Sequence, residues 1–391
     1  MQKKQAILTC VLFLSVLFGG ALLFWILPDR TFSEEENRSP RTLPTWSGER
    51  FLSGKYADEI NEYYADQFPM RDFLVGWKGI TEVALGKGGN NGVILGADGQ
   101  LAKRLFDIRM SSGEVLSDID AIDLSQVRKA ADGINRAAEA LDVPMITLLP
   151  GRTVDVVSGA LFYPALYGDA MLKMLRESLG DACGYLDLVP EYRERCDRGE
   201  SVYYKTDHHW TTRGAYLAYA EVMRSLGKGS EILPEDVFEK RTVSDSFYGT
   251  TWSAGGMKFV KPDEIEVWYR GNEDSFSVTA DGKLLDGFYS EKYLEKKDQY
   301  SFFLDGTHDV VTIQKKDGEV RPRLLILKDS FANSLAPFLA QHFDLVLLNL
   351  SSARSDYTDL GALVQEYDAD AVLIVYTLGN VISTDVMNRL H

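Results

Sequence analysis

Residues 324–350 read LLILKDSFANSLAPFLAQHFDLVLLNL, and this stretch decides the fold. Leu324–Leu327 and Leu345–Leu350 are short continuous apolar runs, typical of strands that are buried on both faces of a parallel sheet. Phe331–Gln341, which lies between them, is predicted as a helix. The stretch therefore predicts a strand, a helix and a second strand, with Asp329 and Ser330 in the turn that follows the first strand.

The same alternation continues on both sides of this stretch. Helix and strand segments follow one another as parallel sheets require. We therefore expect an α/β fold of three layers with a mainly parallel sheet. The predicted segments are the helices 125–141, 169–179, 212–226 and 360–367 and the strands 143–149, 185–188 and 371–376.

One long segment breaks the pattern. Residues 230–320 set apolar and aromatic runs, such as Val310–Ile313, between glycine and aspartate turns. This composition predicts a β-rich insertion at about 230–320. Earlier in the chain, Asp98-Gly99 follows the apolar run Val93–Leu95 and indicates a hairpin. The aromatic residues of 55–85 recur at roughly helical spacing with an interruption at Pro69, a pattern more typical of packing than of a ligand site.

The N-terminal segment predicts a membrane anchor. Ala6–Leu27 contains no charged residue and is long enough to span a hydrocarbon core, and Lys3 and Lys4 precede it as the positive-inside rule requires. We expect an uncleaved single-pass helix with everything after Pro28 outside the cytoplasm. The expected organisation is a cytoplasmic tip and anchor at 1–27, a tether at 28–54, and a catalytic domain at 55–391 that carries the insertion.

Composition excludes some classes of protein. The 391 residues are 45% hydrophobic, which is enough for a large core, and the formal net charge is −16. Nucleic acid is bound by clustered Lys and Arg, so we expect no nucleic-acid partner. Besides Cys10, the chain has Cys183 and Cys196, and the sequence leaves open whether these two form a disulfide or remain free thiols.

Ser330 is the first candidate for chemistry, because it follows a buried strand and directly precedes a predicted helix. Ligands of open α/β sheets collect at the carboxyl ends of the strands. Backbone N–H groups at a helix N-terminus also suit a developing oxyanion. The alternative is a serine that only caps the helix, since serine is a preferred N-cap residue.

The stretch Thr206–Gly214, TDHHWTTRG, holds two of the five histidines. A serine nucleophile needs a base, and that base needs a carboxylate to fix its tautomer. Asp207 and His209 can supply both. The alternative is a metal site made of Asp207, His208 and His209. Because no C-x-x-C spacing and no phosphate-binding glycine loop occurs, we expect neither a metal nor a cofactor.

The segments around Ser330, His209 and Asn380 resemble those of a known family. The strand, Asp329-Ser330 and helix resemble the nucleophile block of SGNH hydrolases, usually Gly-Asp-Ser, although Lys328 replaces the glycine. Gly379-Asn380 resembles the Gly-x-Asn block. The histidine stretch precedes the serine, which is the order of a circular permutation. This order is similar to that of the alginate O-acetylation proteins and of the DHHW family, named for the tetrapeptide at 207–210, and the resemblance spans most of residues 28–391.

The resemblance implies roles for individual residues. It selects His209 over His208 as the base, because the spacing from His209 to Gly214 is that of the family. It implies oxyanion donors at the Ser330 backbone N–H, at Asn380 and, least securely, at Ser351. Three further residues are candidates for lining the cleft, and for each the alternative is packing or an ion pair: Arg152, Tyr204 and Trp210.

The resemblance also implies a function. It is transfer of an acyl group, commonly acetyl, to a hydroxyl of an extracellular polysaccharide, with a separate multi-spanning membrane O-acyltransferase as the donor partner. Two other functions stay open. One is a carbohydrate O-acetylesterase that uses the same serine, and the other is a noncatalytic component that binds polysaccharide.

Overall fold

The computed structural model describes residues 2–36, 38–103, 124–162, 168–350 and 357–391. The chain forms two units: Met1–Asn90 with Gly256–Phe259, and Asn91–Gly255 with Val260–His391. The predicted tether and the aromatic segment thus lie in one unit with the N-terminal helix. The elements of this first unit are α1 Gln2–Ile26, α2 Gly48–Leu52, α3 Lys55–Gln67, α4 Arg71–Ala84 and the short strand β1 Gly89–Asn90.

The second unit holds the predicted α/β fold. Its strands are β2 Val93–Leu95, β3 Leu101–Lys103, β4 Met145–Leu148, β5 Cys183–Leu186, β6 Glu239–Phe247, β7 Asp263–Tyr269, β8 Phe276–Ala280, β9 Lys283–Leu284, β10 Val310–Lys315, β11 Arg323–Lys328, β12 Asp344–Asn349 and β13 Ala371–Val375. Its helices are α5 Ser125–Ala140, α6 Thr153–Val156, α7 Gly168–Ser178, α8 Val189–Asp197, α9 Thr212–Ser225, α10 Thr250–Gly255, α11 Ala332–Leu339, α12 Leu360–Tyr367 and α13 Leu378–Ser383.

The main sheet confirms the predicted fold class. Its strand order is β5-β4-β13-β11-β12-β10-β8-β9. The first five strands pair in parallel, and β10 joins β12 antiparallel. β11, the strand that precedes Asp329 and Ser330, therefore lies between two parallel neighbours, where both of its edges are hydrogen-bonded.

Alternation along β11 separates the two helical layers. Leu324 and Ile326 pack in one core with residues of α9 and α11. Leu325 and Leu327 pack in the other core with residues of α5, α7 and α12. Successive strand side chains point to opposite faces, so both halves of the apolar run are buried. Burial of each such side chain contributes about 1.5–3 kcal/mol. This burial holds β11 in place and therefore fixes the position of the turn that follows it.

The predicted insertion is β-rich, but it is not a separate body. β6 and β7 pair with each other outside the main sheet. β8, β9 and β10 instead extend the main sheet beyond β12. Val311 and Ile313 are buried because β10 adds a strand beside β12, and both side chains pack in the core that also holds Leu324 and Ile326. The segment thus contributes both to the sheet and, as shown below, to the candidate site.

Candidate active site

Three side chains predicted to react together lie within hydrogen-bond distance. The Nε2 atom of His209 is 2.7 Å from the Oγ atom of Ser330. The Nδ1 atom of His209 is 2.5 Å from the Oδ1 atom of Asp207. Ser330 is half-buried, whereas His209 and Asp207 are buried. The structure therefore brings the hydroxyl, the imidazole and the carboxylate together in the expected order, and their catalytic role remains a prediction.

The order of these contacts sets the tautomer of His209. An ionised Asp207 accepts hydrogen bonds only, so Nδ1 of His209 carries the proton that it donates to Oδ1. The backbone N–H of His209 donates to the same oxygen at 3.0 Å. Nε2 then has a free lone pair, to which the Ser330 hydroxyl donates. This is the arrangement that a general base requires.

Charge and burial hold both groups in the required protonation states. Burial lowers the pKa of His209 to about 4, and the neighbouring His208 acts in the same direction. Burial alone would raise the pKa of Asp207, but His208 and His209 outweigh it and hold that pKa well below its usual range. At neutral pH, therefore, His209 is neutral and Asp207 is ionised.

Asp207 is held from its other side by the insertion. Its Oδ2 atom accepts hydrogen bonds from the backbone N–H of Thr250 at 2.7 Å and from the Thr250 hydroxyl at 3.0 Å. Gly249 allows this approach, because a Cβ atom there would lie 2.2 Å from the Cβ atom of Asp207. The sequence of Phe247–Thr250 does not by itself indicate that this stretch supports the carboxylate.

His208 is also bound to Thr250. Its Nδ1 atom is 2.7 Å from the Thr250 hydroxyl oxygen. Because the single hydroxyl proton goes to Asp207, Nδ1 of His208 must be the donor. The side chain of His208 is 39% exposed, and its Nδ1 atom is 3.5 Å from Asp207 Oδ1. His208 is therefore a partner of the base at the edge of the site, which agrees with the selection of His209 as the base.

The ring of His209 is enclosed between other rings. Tyr300 stacks on it at a centroid distance of 3.6 Å and an interplanar angle of 7°. His208 lies 3.8 Å from it, with an angle of 37°. Tyr300 is fixed in turn by its hydroxyl, which is 3.1 Å from the Oγ atom of Ser334. Sequence reasoning missed Tyr300, because no motif marks it and it lies 91 positions from the histidine.

Asp329 connects the serine turn to the turn after β13. Its Oδ1 atom accepts from the backbone N–H of Phe331 at 3.1 Å. Its Oδ2 atom accepts from the backbone N–H of Thr377 at 2.7 Å and from the Asn380 amide at 2.9 Å. The predicted oxyanion donor Asn380 thus gives one amide proton to Asp329. Its second proton is the one that remains for an oxyanion.

Lys328 occupies the position where the resembling block has glycine, and it is buried. Its Nζ atom donates to Asn333 at 2.7 Å, and the Asn333 amide donates to the backbone oxygen of Gly306 at 3.0 Å. Burial lowers the pKa of Lys328 to about 8. The side chain thus joins the serine turn to the insertion, and the departure from the glycine pattern is accommodated by its own hydrogen-bond chain.

The three residues considered for the cleft have packing or ion-pair contacts. Trp210 is fully buried, and its indole N–H donates to Ser334 Oγ at 2.9 Å. Tyr204 is buried against Phe247 and Tyr300. Arg152 forms two hydrogen bonds with Asp155, at 2.8 and 2.6 Å, although its Cδ atom lies beside Gly379. These contacts support packing roles for Trp210 and Tyr204, which are buried, and an ion-pair role for Arg152, the one of the three that reaches the surface.

Two further predictions bear on the site. Ser351, the least secure oxyanion candidate, lies outside the described residues. Asp207, His208 and His209 offer ligand atoms that lie within 4.8 Å of one another, so a metal ion could be held there. Both ring nitrogens of His209 already form hydrogen bonds, one with Asp207 and one with Ser330, so an ion bound to either nitrogen would displace that bond. The hydrogen-bonded arrangement therefore favours proton transfer over metal binding.

In the described part of the chain, Cys183 and Cys196 do not form a disulfide. Cys10, Cys183 and Cys196 are all free thiols there. Cys183 is buried, and its sulfur lies 3.2 Å from the Thr147 hydroxyl. Burial raises the pKa values of Cys183 and Cys196, the latter to about 11. Both thiols are therefore protonated at neutral pH and take no part in the site.

Residues 171–349 match the family model described as DHHW protein. This part of the chain is similar to DHHW proteins and is named the DHHW region. The DHHW region includes Asp207, His209, Ser330 and the supporting Tyr300, whereas Asn380 lies outside it. No curated protein matches the chain significantly.

Solved structures of similar fold include two with TM-scores above 0.5, and a third is less similar. Bacillus cereus PatB1 with a sulfonyl adduct has a TM-score of 0.61 at 21% identity, covering 76% of this chain and 98% of that chain. A DHHW family protein from Eubacterium siraeum has a TM-score of 0.55 at 17% identity, covering 76% and 97%. The O-acetyltransferase domain of Pseudomonas putida AlgJ has a TM-score of 0.46 at 14% identity, covering 76% and 99%.

Proposed function

We propose that the chain is an extracytoplasmic, serine-dependent O-acyltransferase that modifies hydroxyl groups of a cell-surface or exported polysaccharide. The observation that carries the proposal is the continuous hydrogen-bonded series Asp207, His209 and Ser330, with contacts of 2.5 and 2.7 Å. The transferred group is acetyl, as the resemblance to alginate O-acetylation proteins implies. A separate multi-spanning membrane O-acyltransferase supplies it, because the chain itself has one apolar helix of spanning length within the described residues.

The first half-reaction forms an acyl-enzyme. Nε2 of His209 takes the Ser330 proton as Oγ attacks the carbonyl carbon of the acyl donor. The negative charge then moves to the carbonyl oxygen, where the Ser330 backbone N–H and the second amide proton of Asn380 are the proposed donors. When the bond to the donor breaks, His209 returns the proton to the leaving group.

The second half-reaction moves the acyl group to the sugar. A sugar hydroxyl gives its proton to Nε2 of His209 and attacks the carbonyl carbon of the Ser330 ester. The ester bond to Oγ breaks, and the proton returns to Ser330. Asp207 orients the imidazole in both steps and stabilises its charged form. The net change is one acyl group transferred and no proton gained or lost by the protein.

The N-terminal helix supports the proposed location. Lys4–Ile26 is long and apolar enough to cross a membrane. We propose that it remains as an anchor, with Lys3 and Lys4 on the cytoplasmic side and the DHHW region outside. An anchored enzyme would stay close to a membrane-bound acyl donor and to a polysaccharide that is being exported.

The nucleophile can be tested directly with a sulfonyl fluoride. PatB1, which shares this fold, was solved with a sulfonyl adduct. We expect the full-length protein to be labelled on Ser330 and the label to be located by peptide mass spectrometry. His209→Ala should prevent labelling, because the base is lost. Ser253→Ala is the matched control and should be labelled normally, since that hydroxyl has no hydrogen-bond partner in the described part of the chain.

The competing functions give different results in a transfer assay. The full-length protein is incubated with an activated acetyl ester and a soluble glycan acceptor. Acetylated glycan supports the transferase. Acetate release without glycan modification supports the esterase and contradicts the transferase. If sulfonyl fluoride does not label Ser330 and no acetyl group is transferred or released, the noncatalytic function is supported and the proposed mechanism is wrong.

A further inference from the structure

The unit formed by Met1–Asn90 and Gly256–Phe259 carries an exposed apolar face on α4. Phe73 is 51% exposed, Trp77 54% and Ile80 40%, and Leu74 beside them is 47% exposed. These positions follow the spacing of one side of a helix. Water-exposed helix faces normally carry polar or charged residues, so a partner is needed to cover this one.

A neighbouring side of α4 is already packed. A Cβ atom on Gly76 would lie 2.6 Å from the Lys258 side chain, and one on Gly79 would lie 2.7 Å from the backbone oxygen of Gly256. The two glycines therefore let α4 approach residues 256–258 closely and fix its rotation. The face with Phe73 and Trp77 cannot turn inward without breaking this contact.

The apolar helix α1 packs on the neighbouring residues of the same unit. The ring of Phe24 lies 5.8 Å from that of Tyr63 and 4.9 Å from that of Tyr64. A methyl group placed on Gly20 would lie 3.5 Å from the Phe68 ring. Gly20 is inside the span Lys4–Ile26. At 1.5 Å per residue, it lies roughly 9 Å before the outer end of that span.

Several charged residues of the unit are paired with one another. Asp66, which is buried, forms hydrogen bonds of 2.6 Å with both terminal nitrogens of Arg38. Arg30 pairs with Asp72 at 2.8 Å. The hydrogen bonds from Arg38 lower the pKa of Asp66 to about 2. The segment predicted as a tether is thus fixed to α3 and α4 by ion pairs, and the helices present a polar side and an apolar side.

We propose that the α4 face, defined as Phe73, Leu74, Trp77 and Ile80, lies in the outer interface of the membrane. The inference rests on the proposed anchoring by α1. Phe68 contacts α1 at a point inside the span and would therefore lie within the bilayer. α4 begins only three residues after Phe68. Aromatic residues favour this interface, and an amphipathic helix with a charged opposite side lies in its plane. The anchor is therefore a two-part device: a spanning helix and an interfacial helix.

Brominated lipids test the depth of Trp77. The full-length protein is placed in lipid nanodiscs, at one copy per disc, with bromine either high on the acyl chains or near the bilayer centre. The emission lost on Trp77→Phe substitution gives the signal of Trp77 in each disc. We expect bromine high on the chains to remove the greater part of that signal and bromine near the centre to remove less. Trp25, at the outer end of α1, is measured in the same way with Trp25→Phe.

The two tryptophans separate the two proposals. Quenching of Trp25 without quenching of Trp77 leaves the anchor intact and overturns the interfacial α4 face. A second copy or a protein partner would then be the occupant. If neither tryptophan is quenched, the anchoring proposal itself is wrong. Trp268, which is buried in the second unit, is the negative control and should lose no emission with either lipid.

Discussion

The serine turn and the histidine loop reach the same site by different means. Ser330 is positioned locally, since a buried strand ends at Lys328 and a helix begins at Ala332. His209 is positioned by distant residues, because Thr250 holds its carboxylate partner and Tyr300 stacks on its ring. The nucleophile therefore depends on the sheet, whereas the base depends on the insertion. Substitutions that weaken either set of contacts should separate the two dependencies.

The largest effect is expected at the carboxylate. Asp207→Asn keeps the size of the side chain, but its amide can donate to Nδ1 and so favours the wrong tautomer of His209. The rate of acyl-enzyme formation from an activated acetyl ester should fall by roughly 10⁴-fold. Stopped-flow release of the ester's leaving group measures this rate. A loss of less than about tenfold, which corresponds to about 1.4 kcal/mol of activation free energy, would contradict the assignment of Asp207 as the orienting carboxylate.

The ring of Tyr300 should have the next largest effect. Tyr300→Leu removes the surface on which His209 stacks, and a small displacement of the base costs about 10- to 100-fold in rate. Tyr300→Phe is the matched variant, because it keeps the stacked ring and removes only the hydroxyl bonded to Ser334. Stopped-flow release of the leaving group compares the two variants. Equal losses for the two variants would show that the hydroxyl, and not the stacking, positions the base.

The contrast also explains what the sequence could predict. The apolar runs of β11, β12 and β13 are long enough to identify buried strands, and the turn residues follow from their ends. Asp207, His209 and Ser330 could be selected because the chemistry needs them and the motif marks them. Tyr300 and Lys328 could not, because their roles depend on contacts with residues far away in the chain. A stacked ring and a buried amine have no local sequence signal.

The extension of the sheet was missed for a related reason. An apolar run such as Val310–Ile313 predicts a strand but not its partner. Whether β10 pairs within the insertion or with β12 depends on which edge is free. Ion pairs such as Arg38 with Asp66 are equally hard to predict, because a segment without hydrophobic period gives no sign of its partners.

A smaller effect is expected at Thr250. Thr250→Val removes the hydroxyl that donates to Asp207 and accepts from His208, but it keeps the shape and the backbone N–H. Hydrogen bonds to charged groups contribute about 1.5–3 kcal/mol, and the free energy of unfolding in urea should fall by that amount. Thr251→Val is the matched control, because the Thr251 hydroxyl is buried without a hydrogen-bond partner among the described residues. A loss in the control as large as that at Thr250 would mean that the hydrogen bond to Asp207 is not the cause.

The smallest effect at neutral pH is expected at His208, where the change appears instead in the pH dependence. His209 is active only when neutral, so the rate of sulfonyl fluoride labelling should fall as the pH drops through about 4 in the wild-type protein. Burial is the main cause of this low pKa, and His208 lowers it further. His208→Ala removes that second contribution, so the pKa of His209 rises and the acidic limb moves to higher pH. At neutral pH, labelling should change little, because His209 is neutral in both proteins. Labelling rates between pH 3 and 8 locate the acidic limb in the wild-type protein and in His208→Ala. If the limb of His208→Ala stays in place or moves to lower pH, the base is a group other than His209.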